Sequence, residues 1–97
     1  MKIGIVGTGM LGEAVGLHLL DVGHEVTVFN RTKEKTEKLK EKGAIIVESP
    51  KYVAENSELV ITVVKNADAV NEVIFGNSGI ISGKHEGMCI ADMSTVN

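Results

Sequence analysis

The sequence predicts an α/β fold, a doubly wound parallel sheet of five strands in the order 3-2-1-4-5. Two observations carry that expectation. Short β-branched runs alternate with stretches of helical periodicity along the whole chain, the signature of βαβ units whose strands are covered on both faces. Glycines punctuate the junctions, first in GTGMLG and then at Gly23, Gly43 and Gly76.

The first strand is read at 2–6. A helix follows at 10–22, where Met10, Leu11, Ala14, Val15, Leu17 and Val22 keep helical spacing, and Gly23 stands where a left-handed C′ residue is wanted. The second strand is read at 25–29. Thr32 is placed to cap a second helix ending before Gly43, but TKEKTEKLKEK holds only Leu39 as a large apolar anchor, so most of that helix is a solvated face. The third strand is read at 44–47. Ser49 and Pro50 form an N-cap and first-turn pair for a short helix running to position 56. A fourth strand at 59–64 leads to Asn66, placed to cap a helix in which Val70, Val73 and Ile74 recur at i, i+3 and i+4 before Gly76. GNSGIISGKHEG is a turn-rich connection without clear periodicity, and the fifth strand is read at 88–92. Right-handed crossovers between successive strands then give the stated order.

A chain of 97 residues is one domain that buries roughly 60 to 65% of its unfolded surface, small for a complete two-substrate enzyme. A net charge of −3, with 24% charged and 43% hydrophobic residues, excludes a polybasic surface, and no nucleic-acid partner is expected. Cys89 is the single cysteine, so no internal disulfide can form. Its neighbours Met88 and Ile90 predict a buried thiol, in keeping with a reducing cytoplasm. The apolar run after Met1 is broken by Gly4, Gly7 and Gly9, and nothing approaches the roughly 18 apolar residues of a membrane span. A cytoplasmic protein without membrane contact is therefore expected.

The residues Gly7-Thr8-Gly9-Met10-Leu11-Gly12 spell G-x-G-x-x-G directly after a strand and before a helix, the context in which this pattern points to a dinucleotide. Gly7 then permits the tight turn, Gly9 lets backbone N–H groups approach a pyrophosphate, and Gly12 lets the helix pack closely on the strand. Met10 and Leu11 begin a helix whose free N–H groups and positive dipole end meet the phosphates. The alternative is a turn that uses glycine for geometry alone.

At the end of the second strand, an Asp or Glu would bond the ribose hydroxyls of NAD. This sequence has Asn30, Arg31 and Thr32 instead. An amide, a guanidinium and a hydroxyl all bond a 2′-phosphate, which a carboxylate would repel, so the cofactor expected is NADP. A charged hydrogen bond worth about 1.5 to 3 kcal/mol makes Arg31 alone the source of a preference of roughly ten to a hundredfold over NAD. The same residues also read as a surface turn with Thr32 as a helix cap.

Val64, Lys65 and Asn66, at the carboxyl end of the fourth strand, border the crevice beside the glycine loop, and Asn66 reads equally as an N-cap. Asp92-Met93-Ser94-Thr95, at the carboxyl end of the fifth strand, lies where the nicotinamide end of an extended dinucleotide arrives, or is simply a turn. His18 is expected partly buried among leucines, with His24 and His85 in turns. No His, Cys and carboxylate spacing suggests a metal site, and no Ser, His and Asp arrangement suggests nucleophilic catalysis.

These motifs together resemble the β-hydroxyacid dehydrogenases, which include 3-hydroxyisobutyrate dehydrogenase and the glyoxylate/succinic semialdehyde reductases. The resemblance rests on IGIVGTGMLGEAVGLHLL, EVTVFNRT, VITVVKNADAVNEVIFGNSGII and IADMSTVN, in that order. It implies a Rossmann domain over 1–97, with Gly7, Gly9, Met10, Leu11 and Gly12 at the pyrophosphate and Asn30, Arg31 and Thr32 at the 2′-phosphate. It further implies Val64, Lys65 and Asn66 along the adenosine and ribose, Thr95 at the nicotinamide ribose, and Ser94 with Thr95 at the substrate. The reaction implied is hydride transfer between NADP(H) and a small β-hydroxyacid or semialdehyde. Leu11 and the Val64-Lys65 pair depart from the family's usual Met and its Leu-Pro or Leu-Ser.

The family's catalytic lysine lies in a G-x-x-x-K-x-x-N helix that these 97 residues do not contain, so no catalytic residue is assigned here. The expectation is the cofactor-binding part of a longer oxidoreductase, truncated after strand five, with a helical second domain elsewhere through which a homo-oligomer can form. The rival from another class is a nucleotide-sensing Rossmann module without catalysis. Such modules often keep the acid that Asn30 replaces. Pyrroline-5-carboxylate and ketopantoate reductases share the opening motif but match the 92–95 loop less well.

Overall fold

The computed structural model describes residues 1–7, 9–64 and 67–93. Its five strands are β1 (Lys2–Val6), β2 (Glu25–Phe29), β3 (Ile45–Ile46), β4 (Leu59–Thr62) and β5 (Cys89–Asp92). They form one sheet in the order β3-β2-β1-β4-β5, with every neighbouring pair parallel. The helices are α1 (Gly9–Asp21), α2 (Glu37–Glu41), α3 (Pro50–Glu55) and α4 (Ala67–Phe75). The doubly wound α/β expectation holds in class and in strand order.

Alternation along the strands divides the core in two. Ile5, Val26 and Val28 point to one face, where Leu39 of α2 and Leu17 and Leu20 of α1 cover them. Val6 and Val60 point to the other, against Val53 and Ala54 of α3, Ile80, and Val73 and Ile74 of α4. At the end of β3 Ile46 joins the first cluster and the next residue, Val47, the second, as a period of two requires. Because β1 lies central in the sheet, Ile3, Gly4, Ile5 and Val6 are all buried.

The helix ends follow the glycine punctuation. After α1 the Gly23 N–H donates to Leu20 O at 3.1 Å and the His24 N–H to Leu19 O at 3.0 Å, with Gly23 at φ 97°. The same pair of bonds recurs after α2 at Gly43 and Ala44. Both are Schellman closures, in which a left-handed residue lets the chain turn back into the next strand.

Several boundaries differ from the sequence reading. The segment after Thr32 is not one helix but a 3-10 turn at Lys33–Thr36 followed by α2, and the Thr36 hydroxyl bonds Lys33 O at 2.6 Å across the tightened turn. Thr32 and Ser49 stand at cap positions, yet neither hydroxyl makes a capping bond. β3 is shorter than 44–47 because Ala44 N–H is committed to the end of α2. The connection after Gly76 contains a further 3-10 turn, Ile80–Gly83, anchored by the fully buried Ile80.

Two burial expectations are corrected. Within residues 1–97 Cys89 is exposed, because β5 is an outer strand of the sheet these residues form and is covered less than β1 or β4. His18 is exposed as well. The helix face that meets the sheet runs through Gly12 and Gly16, and Leu17 and Leu20 flank it, which turns His18 outward. His85 lies in the predicted turn, where its Nε2 donates to Ser57 O at 2.7 Å. Among the described residues no helix is long and apolar enough to cross a membrane.

Candidate functional site

The carboxyl end of the sheet carries the site, where β1, β2 and β4 stop in register. Val6 pairs with Phe29 on one side and Thr62 on the other. Beyond Val6 the chain turns sharply, with Gly7 at φ 84° and its N–H bonded to Phe29 O at 2.8 Å. A Cβ on Gly7 would collide with the Val63 carbonyl oxygen, so this turn needs glycine twice over. Gly12 touches the same turn from the helix side. Its missing Cβ would stand 2.9 Å from Gly7 O, which is the close helix-on-strand packing expected of it.

Gly9 is different in kind. It has φ 53°, and a Cβ there would find nothing within 4 Å. Met10, 91% exposed, and the exposed Leu11 flank this open space at the start of α1. The first turn of α1 contains no acidic residue, so its free N–H groups face solvent without a competing carboxylate. The chemistry this arrangement suits is that of an anion.

Beside the loop is a cleft of about 400 Å³ in which Gly7, Asn30, Arg31 and Val64 meet. The Asn30 Nδ2 donates to Thr32 O at 2.8 Å, folding the turn after β2 so that Arg31 reaches the cleft while Thr32 stays outside it. Among the described residues Arg31 takes part in no ion pair. Its guanidinium therefore has its donors available to a ligand.

Other residues of the cleft were not expected from sequence to belong to a site. Glu48 and Ser49 reach it from the link between β3 and α3, and Glu72 and Val73 from α4. Glu48 is held by Lys33, whose Nζ lies 2.8 Å from its Oε1. The Ser49 Oγ is buried without a hydrogen-bond partner among the described residues. Ser78, with φ 59°, closes the far wall and accepts a bond from the Lys51 N–H at 2.8 Å. The spacing of Ala69, Glu72 and Val73 at i, i+3 and i+4 is the sequence signal that would have placed α4 here.

At the other end of the crevice, Thr62 Oγ1 donates to Asp92 Oδ1 at 2.9 Å, tying the ends of β4 and β5 together. The remaining expected site residues, Lys65, Asn66, Ser94 and Thr95, lie outside the described residues. The structure thus brings together Gly7, Asn30, Arg31 and Val64, and sets Gly9, Met10, Leu11 and Gly12 at the adjoining helix start.

Known proteins are similar to this chain over nearly its whole length. The uncharacterized oxidoreductase YfjR of Bacillus subtilis is 38% identical over 97 residues, all of this chain and 34% of its own length. The mitochondrial 3-hydroxyisobutyrate dehydrogenase-like 1 of Arabidopsis thaliana is 42% identical over 95 residues, 97% of this chain and 28% of its own. Among solved structures, 3-hydroxyisobutyrate dehydrogenase of Mycobacterium tuberculosis superposes with a TM-score of 0.88 at 19% identity, covering 99% of this chain and 32% of that one, a likeness of fold. The chain spans about a third of the length of these relatives. The family described as the NAD binding domain of 6-phosphogluconate dehydrogenase matches residues 2–97, and this chain belongs to it.

Proposed function

We propose that residues 1–97 form the NADP-binding domain of an oxidoreductase that moves hydride between NADP(H) and a small β-hydroxyacid or semialdehyde. The observation that carries this reading is the pairing of an open glycine loop at Gly9 with a cleft lip made of Asn30 and Arg31, where no carboxylate ends β2. Gly7, Gly9, Met10, Leu11 and Gly12 hold the pyrophosphate through backbone N–H groups and the start of α1. Asn30 and Arg31 take the 2′-phosphate at the lip of the cleft, with Thr32 approaching it from outside, and Val64, Lys65 and Asn66 run along the adenosine. Thr95 meets the nicotinamide ribose and, with Ser94, the substrate.

NADP(H) supplies the hydride when bound. The chain's own residues bind and orient it, and none of the 97 is assigned the role of general acid. The kinship with oxidoreductases supports the reaction class, and the relatives named 3-hydroxyisobutyrate dehydrogenase-like support a small hydroxyacid as one of its substrates.

Fluorescence titration of the chain with NADPH and NADH tests the assignment. Wild type should prefer NADPH by roughly ten to a hundredfold, the range one charged hydrogen bond supplies. Arg31→Asp should abolish or invert that preference. Equal wild-type affinities would remove the 2′-phosphate from the cleft.

A further inference from the structure

Two carboxylates, Glu48 and Glu72, face a cleft whose proposed ligand is an anion. A group that only accepts hydrogen bonds is useful there only if the ligand also presents a donor. Glu48 is already engaged by Lys33 at 2.8 Å, whereas Glu72 has no ion pair among the described residues. Glu72 shares its helix face with Ala69 and Val73, and Val64 lines the same cleft, so the carboxylate stands at the margin of an apolar surface. Small and apolar side chains beside one acceptor suit a planar base that carries an amino group on its edge.

We propose that Glu72 selects the base of the dinucleotide, accepting a hydrogen bond from the 6-amino group of adenine and repelling the 6-oxo group of hypoxanthine or guanine. The inference rests on the assignment of this cleft to the adenosine end. Adenine offers its amino hydrogens outward at that position, while a 6-oxo purine offers lone pairs that a carboxylate cannot satisfy. A site arranged to accept from a ligand N–H discriminates strongly against an analogue that lacks it, because the acceptor is then left facing another acceptor.

The test is calorimetric titration with NADPH and with its counterpart in which hypoxanthine replaces adenine. Wild type should bind the adenine form about tenfold or more tightly, the effect of one hydrogen bond to a charged group. Glu72→Gln, whose amide both accepts and donates, should bring the two ligands to near-equal affinity, while Glu48→Gln should keep the wild-type preference. Position 72 is exposed on α4, so far-UV circular dichroism should show both variants folded. Equal wild-type affinities, or a full adenine preference in Glu72→Gln, would overturn the role of Glu72 and leave the NADP assignment standing. Absence of saturable NADPH binding would overturn both.

Discussion

The carbonyl oxygen of Gly7 stands 2.9 Å from the point where Gly12 would carry a Cβ, so the turn after β1 and the second turn of α1 are in backbone contact. The three loop glycines should therefore fail in different ways when changed to alanine. Gly12→Ala forces the helix off the turn and should cost about 1 to 3 kcal/mol, the usual range for overpacking. Gly7→Ala should cost more, because it adds a left-handed φ of 84° to a collision with Val63 O. Gly9→Ala meets only open space and should cost about 1 to 2 kcal/mol from its φ alone, yet it puts a methyl group where the phosphates are proposed to lie. Urea denaturation and NADPH titration should show Gly9→Ala losing far more affinity than stability, and Gly7→Ala and Gly12→Ala losing stability first.

Much of this arrangement was legible in sequence because it depends on local rules. A β-branched run followed by glycine and helical spacing is a βα unit wherever it occurs, and five such runs in turn leave few topologies. Asn30 and Arg31 were legible for the same reason, since they sit at a fixed place after β2. What was not legible depends on position in the sheet. Met88 and Ile90 surround Cys89 as they would in a central strand, and that local pattern hides the poor cover of the outer place which the order 3-2-1-4-5 gives β5, where the thiol is exposed. Glu48 and Ser49 come from the link before α3 and Glu72 from α4, and they meet only once α3 and α4 pack on the same face, so a reading by motif took Ser49 for a helix cap and passed over the two glutamates.

The pairing of Leu39 with Gly16 makes a second prediction. Leu39 is fully buried and is the large apolar anchor of α2, and a Cβ on Gly16 would lie 2.6 Å from its Cδ2. Leu39→Ala should cost about 2 to 5 kcal/mol by leaving a cavity under α1. Gly16→Ala should cost about 1 to 3 kcal/mol by overpacking the same spot. In the double variant the methyl group enters the space the leucine vacated. A denaturation cycle should return a coupling energy of at least about 1 kcal/mol in the stabilising direction. Simple additivity would show that α1 and α2 do not rest on each other through this contact.

Ser49 gives the sharpest contrast between a local rule and the packed structure. By position it is the N-cap of α3, and replacing an N-cap serine by alanine ordinarily costs about 1 kcal/mol. Here the backbone oxygen of Ser49 accepts from Tyr52 N–H at 3.2 Å, but its hydroxyl caps nothing and lies buried without a partner. A buried, unbonded hydroxyl is a desolvation cost with no compensating bond, and alanine removes it. Ser49→Ala should therefore leave stability unchanged or raise it by up to about 1 kcal/mol. With Pro50 retained as the first residue of α3, the helix start itself should persist, which circular dichroism checks alongside urea denaturation. A loss of about 1 kcal/mol instead would mean that the hydroxyl rotates to cap α3 in solution, and the cleft wall at Ser49 would then present a bonded hydroxyl.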